Sequence, residues 1–142
     1  MSTITSEIEG LGNQKTVILT TYRRDGTPVD TPVHVATDRD RAFVRTYEKA
    51  YKFKRLRRRP EAELWLASNG RAPATVALLR PKEARRVGSP VHVHVKELQG
   101  EESRLAAAAL ARKYPLLQGV LIPLSHRLWR TRTVNLELTA VN

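Results

Sequence analysis

The chain has 142 residues, a length that fits one domain around one hydrophobic core, and we predict a single domain over residues 1–142. Lysine and arginine outnumber aspartate and glutamate by 25 to 14, so the formal net charge of +11 indicates anionic ligands or partners. The absence of cysteine excludes disulfides, thiolate metal sites and a cysteine nucleophile. No apolar run is long enough to span a membrane and the first residues lack signal-peptide features, so we expect a cytoplasmic protein.

The first part of the chain is predicted to be a short helix followed by three strands. Apolar residues at helical spacing predict a helix over residues 4–11. The Asp25-Gly26 pair is typical of a hairpin turn. Pro32 falls inside the second strand and predicts a sheet edge or a bulge, because proline has no N–H to donate. The three predicted strands cover residues 15–22, 29–37 and 42–46.

The rest of the chain adds two helices and four more strands. The helices are predicted over residues 48–59, ending before Pro60, and over residues 101–114. The remaining strands are predicted over residues 62–67, 74–80, 84–95 and 132–141, with Gly88 and Pro90 interrupting the third of them. Seven short strands without regular βαβ alternation predict a mostly β fold, an antiparallel barrel with inserted helices.

A strongly basic helix is the most unusual feature of the sequence. The stretch YKFKRLRRRP, residues 51–60, places six positive charges in nine positions without an acidic residue. Counting 100° per residue from Phe53, Lys52, Arg55 and Arg59 fall together on one exposed face, away from the apolar stripe. A solvated charged face is the ordinary interpretation. Like charges at i,i+4 repel, however, so we expect a bound anion to offset the repulsion.

The sequence contains few signs of a nucleic-acid ligand, a metal site or a catalytic site. Nucleic acid is an alternative ligand, but helix-turn-helix spacing, zinc ligands and an aromatic platform are all absent. His92 and His94 share one strand face, as metal ligands do, without an evident third ligand; an exposed strand face is the ordinary alternative. No serine lies in a nucleophile elbow, and neither GxGxxG nor GxxxxGK[ST] occurs. An enzyme with this sequence would rely on a cofactor for its chemistry.

Three stretches carry a resemblance to a known family: LTTYRRDGTPVDTPVHVAT (19–37), FVRTYEKAYKFKRLRRRP (43–60) and VNLELTAV (134–141). They resemble the pyridoxamine 5'-phosphate oxidase-like flavin and deazaflavin oxidoreductases, and most of all the actinobacterial branch that uses coenzyme F420. The resemblance implies a split β-barrel of the FMN-binding type and a homodimer with cofactor sites at its interface. It also implies hydride transfer between the deazaflavin and a small organic acceptor.

The resemblance assigns cofactor-binding roles to seven residues. The backbone of Thr31, Pro32 and Val33 would lie along the ring of the cofactor. The phosphate would be bound by Lys52, Lys54 and Arg55, with Thr46 near the ribityl-phosphate. No catalytic residue and no metal ligand is assigned. The phosphodiester and polyglutamate tail of F420 would give the excess positive charge a partner.

Several positions depart from the family pattern. Ala50 and Tyr51 stand where a Ser-Gly pair is common, and His34 stands where an aromatic residue such as Trp is frequent. Neither His34 nor Tyr51 is assigned a general-acid role. The alternatives are the same fold using FMN, a barrel that binds a cofactor without catalysis or has lost its ligand, and a nucleic-acid-binding protein. Trp129 and Arg130 of a partner chain are candidates to close an interfacial site.

Overall fold

A computed structural model of the chain describes residue 8 and residues 10–68, 70–71, 85–114 and 132–141. Seven strands and two helices have defined bounds in this part of the chain. The helices are α1 (Tyr51–Arg58) and α2 (Gly100–Lys113). The strands are β1 (Val17–Tyr22), β2 (Pro28–Val33), β3 (Ala36–Asp38), β4 (Arg41–Tyr47), β5 (Glu61–Ala67), β6 (Arg86–Glu97) and β7 (Thr133–Ala140). Neither helix is long and apolar enough to cross a lipid bilayer.

The seven strands form one antiparallel sheet in the order β2-β1-β5-β6-β7-β4-β3. A flat sheet of this size would hold its two edges about 29 Å apart, since neighbouring strands are about 4.8 Å apart. Yet only His34 and Val35 separate β2, at one edge, from β3, at the other. Three Cα steps from Val33 to Ala36 span at most about 11 Å. The sheet must therefore curl until the ends of its two edge strands come within about 11 Å of each other, which gives a barrel whose edges β2 and β3 do not pair.

Two hydrophobic clusters account for the packing of this barrel. The larger cluster fills the interior with side chains from β1, β2 and β4–β7, and the apolar residues Phe53 and Leu56 of α1 join it. Ile8 and Leu11, from a short helical stretch before β1, pack against the same interior. The smaller cluster lies outside the barrel, where Leu110 of α2 packs with Phe43 of β4. Both faces of β4 are thus buried.

The seam between β2 and β3 is held by the C-terminal end of α2. Lys113 Nζ donates to the backbone oxygens of Gln14 (2.5 Å) and Val35 (2.6 Å). Tyr114 Oη lies 2.6 Å from the Lys15 carbonyl oxygen and accepts a hydrogen bond from the Val35 N–H at 3.2 Å. These contacts join the backbone groups of Val35 at the crossing to α2 and to the segment before β1, so they stabilise the curled sheet.

The predicted fold class, a mostly β antiparallel split barrel, is confirmed. Pro32 does lie in an edge strand, because no described strand pairs with the outer side of β2. The single strand predicted over residues 29–37 is wrong: the chain leaves one edge after Val33 and joins the other at Ala36. The basic helix is shorter than predicted and begins at Tyr51. The strand predicted over residues 74–80, most of the helix over 4–11 and residues 115–131 lie outside the described residues.

Candidate functional site

The basic helix α1 begins without a capping group. Ala50 is its N-cap residue, and an alanine side chain accepts no hydrogen bond from the first turn. No acidic residue occurs in that turn either. Ala50 N donates to the Tyr47 carbonyl oxygen (3.0 Å), so this start of α1 follows directly on the end of β4. Free backbone N–H groups and the helix dipole make such an end favourable for an anion.

Lys52 lies in this uncapped first turn. It is partly buried, and its ammonium group forms no ion pair or hydrogen bond with any described residue. Burial lowers the pKa of Lys52 to about 8, and the nearby Arg55 charge acts in the same direction. A desolvated ammonium group without a counter-ion is unfavourable by itself and becomes favourable when an anion binds to it.

Arg55 lies one turn along and faces β1. Its Nε donates to Thr21 Oγ1 at 2.7 Å, which anchors the side chain against the barrel. Burial lowers the pKa of Arg55, and the positive charges of Arg23 and Arg58 lower it further. Within the described part of the chain, neither Arg55 nor Arg58 is paired with a carboxylate. The guanidinium groups of Arg23, Arg55 and Arg58 therefore concentrate positive charge beside the β1–β2 turn.

Thr46 supplies a hydroxyl group near the same end of the barrel. It lies in β4, four residues before the N-cap of α1, and only 2% of it is exposed. Its Oγ1 is buried and finds no hydrogen-bond partner among the described residues. Buried hydroxyl groups in proteins nearly always have a partner, so this one is available to hydrogen-bond a ligand or a water molecule.

The predicted ring-binding segment is the end of the edge strand β2. Thr31 and Pro32 are partly exposed, and Pro32 pairs in register with Ile18 of β1. Val33 is buried in the barrel core, so only its backbone is available to a ligand. Because β2 has no described neighbour on its outer side, its backbone lies along an open edge of the sheet.

Lys54, the remaining predicted phosphate ligand, lies apart from the other two. It is exposed, and its ammonium group lies 5.4 Å from the centre of the Tyr51 ring. Two residues of helix place it about 160° around the axis from Lys52. The structure thus brings Lys52 and Arg55 together on the barrel side and leaves Lys54 on another side.

His34 and Tyr51, which depart from the pattern of the family that the sequence resembles, lie in different surroundings. His34 is buried at the seam and stacks on the Tyr114 ring, with ring centres 4.7 Å apart. Tyr51, in contrast, is 77% exposed. His34 thus fills the crossing between the two sheet edges.

An open groove of about 650 Å³ lies on the outer face of β5 and β6. Its lining includes the cross-strand pairs Glu61–His94 and Glu63–His92, together with Tyr22 and Arg59, and none of the seven predicted cofactor residues. His92 and His94 are exposed, as the ordinary interpretation of this strand face expected. Among the described residues, no cluster of histidine and acidic side chains has the geometry to hold a metal ion.

Sequence reasoning missed three contributors to the cationic site. Thr21 contacts Arg55 across 34 residues of sequence, a contact that no local pattern reveals. Arg23 joins the positive cluster because the β1–β2 turn lies beside α1; the Arg-Arg pair in that turn was the available signal. The uncapped start of α1 could have been suspected from Ala50, since neither it nor the residues around it are good N-caps.

No protein-family model and no curated protein matches the chain. Its fold is similar to that of three solved structures over almost its entire length. A provisionally assigned pyridoxamine 5'-phosphate oxidase from Listeria innocua is 10% identical with a TM-score of 0.62, covering 99% of this chain and 94% of that one. The haem storage protein HutZ from Vibrio cholerae is 14% identical with a TM-score of 0.63, covering 98% and 91%. An FAD-binding protein from Mesorhizobium loti is 12% identical with a TM-score of 0.60, covering 100% and 89%. At these identities the likeness establishes the fold, a split β-barrel of the type found in pyridoxamine 5'-phosphate oxidase-like proteins.

Proposed function

We propose that the chain is an oxidoreductase that binds the phosphate of a flavin-type cofactor, and specifically of the deazaflavin F420, at the start of α1. The observation that carries the proposal is Lys52, a partly buried ammonium group without a partner among the described residues, in the first turn of a helix without a cap. An anion at this position would receive backbone N–H donors and the Lys52 charge together. The buried hydroxyl of Thr46, unpaired within the described part of the chain, fits the same anion as a further donor.

The β1–β2 hairpin offers such a ligand an extended binding surface. Arg55 contacts Thr21, which pairs in register with Val29 at the α1 side of β2. Val33 lies four residues further along β2, or about 13 Å at 3.3 Å per residue. This length suits a cofactor whose phosphate lies at α1 and whose ring lies along Thr31, Pro32 and Val33.

The cluster of Arg23, Arg55 and Arg58 favours F420 over FMN. A single phosphate monoester needs few cationic groups, whereas the phosphodiester and polyglutamate tail of F420 extend beyond the phosphate site. The cluster and the net charge of +11 both suit the longer polyanion. Bound there, the deazaflavin would supply hydride transfer to a small organic acceptor. The role of the protein would be to bind the cofactor, orient the acceptor and exclude water.

Within this proposal the protein is a cytoplasmic homodimer, and a second copy covers the open edge of β2. An edge strand without a neighbour exposes unpaired backbone groups, and proteins normally cover or protect such edges. A small-molecule acceptor would then enter between the two copies. Sedimentation equilibrium would test the dimer, and a monomer at micromolar concentration would remove this part of the proposal.

The test is a calorimetric titration of the purified chain with F420, with FMN in a parallel series. Lys52→Ala should weaken F420 binding by about tenfold to a hundredfold, since a hydrogen bond to a charged group contributes about 1.5–3 kcal/mol. Lys54→Ala is the matched control, because it removes the same charge from a different side of α1. We expect the F420 affinity of this variant to stay within about twofold of that of the unchanged chain.

Four results would count against the proposal. Equal losses of F420 affinity in the Lys52 and Lys54 variants would indicate a general effect of charge and not a specific phosphate site. Binding of FMN but not F420 would keep the site and replace the cofactor. Haem belongs in the same series because one similar structure is a haem storage protein. Binding of haem alone, or of none of the three ligands, would refute the oxidoreductase function.

A further inference from the structure

A second candidate site lies at the other end of the barrel from α1. A cavity of about 350 Å³ is lined there by Leu11, Leu64, Leu66, Pro90 and Val91 and by three polar residues, Gln14, Arg71 and Ser89. We call it the barrel-mouth cavity. Its volume and its mixture of an apolar wall with few polar groups are typical of small-molecule sites.

A β-bulge opens the wall of this cavity. Leu64 pairs with Val91, but Leu66, two residues on, pairs with Val87, four residues back along β6. The two additional residues of β6 belong to the Gly88-Ser89-Pro90 segment, in which Gly88 has a φ of +74°. A positive φ is readily available to glycine, and proline has no N–H for the ladder. The bulge therefore turns Ser89 and Pro90 out of regular pairing, and both line the cavity.

Gln14 is the observation that points to a ligand. The residue is only 8% exposed, and it lines the cavity. Its backbone groups are hydrogen-bonded, but its side-chain amide has no partner among the described residues. The amide is held against Gly70, where an added Cβ would collide with the side-chain oxygen. Because Gln14 lines the cavity, its amide is available to hydrogen-bond a polar group bound there.

Arg71 decides the chemistry of that polar group. It is exposed at the rim of the cavity and forms no ion pair with a described residue. A guanidinium group, an amide and the Ser89 hydroxyl together match a carboxylate. We propose that the barrel-mouth cavity binds a small carboxylic acid with an apolar body. The carboxylate contacts Gln14 and Arg71, and the body lies against the leucine-rich wall.

The experiment is a calorimetric titration of the full chain with octanoate, with octanol as the probe of equal chain length that lacks the carboxylate. We expect octanoate to bind more tightly than octanol. Arg71→Ala should weaken octanoate binding about fivefold and leave octanol binding unchanged. The loss is modest because solvent screens an exposed charge pair. Arg24→Ala removes another exposed arginine, in the β1–β2 turn, and should change the binding of neither probe.

Leu66→Trp tests the location of the site. Leu66 lines the cavity but is 37% exposed, so a larger side chain there can fill the space without disrupting the core. The variant should lose octanoate binding while its thermal unfolding and its F420 titration match those of the unchanged chain. No octanoate binding to the original chain, equal binding of both probes, or octanoate binding that survives Leu66→Trp would each overturn the proposal. These outcomes are independent of the cofactor site at α1.

Discussion

Removing one hydroxyl group from the seam of the barrel, by Tyr114→Phe, should destabilise the protein by about 2–4 kcal/mol. The ring is 5% exposed and would stay stacked on His34, so packing is preserved. The hydroxyl has one proton, which goes to the closer acceptor, the Lys15 carbonyl oxygen, while its oxygen accepts from the Val35 N–H. Phenylalanine leaves that N–H unpaired in a fully buried residue, which costs about 1–3 kcal/mol, and the second lost hydrogen bond adds about 1 kcal/mol.

Equilibrium unfolding in urea measures this difference directly. For a chain of this size, a loss of about 2–4 kcal/mol should also lower the melting temperature by about 5–15 °C. Tyr51→Phe is the matched control, because Tyr51 is 77% exposed and its change should stay within about 0.5 kcal/mol. A Tyr114→Phe variant as stable as this control would refute the view that the hydroxyl holds the seam. Amide exchange should give the same answer at one atom, since the Val35 N–H is expected to exchange faster only in the Tyr114 variant.

Three further changes test other parts of the structure. Stability measured by urea unfolding should rise between pH 8 and pH 10, because Lys52 and Lys113 have folded pKa values of about 8 and an ordinary value of 10.5, so the unfolded chain binds more protons there. It should fall again above pH 10, where burial raises the pKa of Tyr114 to about 12; a flat profile would contradict both burial effects. Ala50→Ser should provide the missing cap of α1 and raise the unfolding free energy by about 1 kcal/mol, and a loss of stability would show that the hydroxyl cannot reach the first turn. Phe53→Ala should cost about 3–5 kcal/mol in the same assay, because this 2%-exposed ring joins α1 to the barrel core, and a cost near zero would mean that α1 packs elsewhere.

Local chemistry made most of the barrel predictable. Pro32 indicated an edge strand because a missing N–H has the same consequence in any sheet, and β2 is an edge. The split between β2 and β3 was not predictable, because Val33 and Val35 continue one alternating pattern across it. Periodicity shows which face of a strand is buried, but it does not show that the chain changes its neighbouring strand.

The candidate site was likewise predictable only in part. The helical positions of Lys52 and Arg55 follow from 3.6 residues per turn, and the structure does place both on the barrel side of α1. That side was expected to be exposed, and both residues are instead partly buried. The difference arises from β1, whose Thr21 receives the Arg55 hydrogen bond. Such contacts depend on how the helix lies on the sheet, which charge patterns alone do not determine.

The two-residue crossing at His34 and Val35 also limits how this barrel can open. In most open sheets the edge strands fray first, because each is paired on one side only. Here both edge strands are tied to each other within about 11 Å, so neither can leave without pulling on the other. Native-state opening should therefore begin where the ladder is already interrupted, at the Gly88–Pro90 bulge between β5 and β6. The closed seam thus directs the motions of the barrel toward the wall of the barrel-mouth cavity, where a ligand would enter.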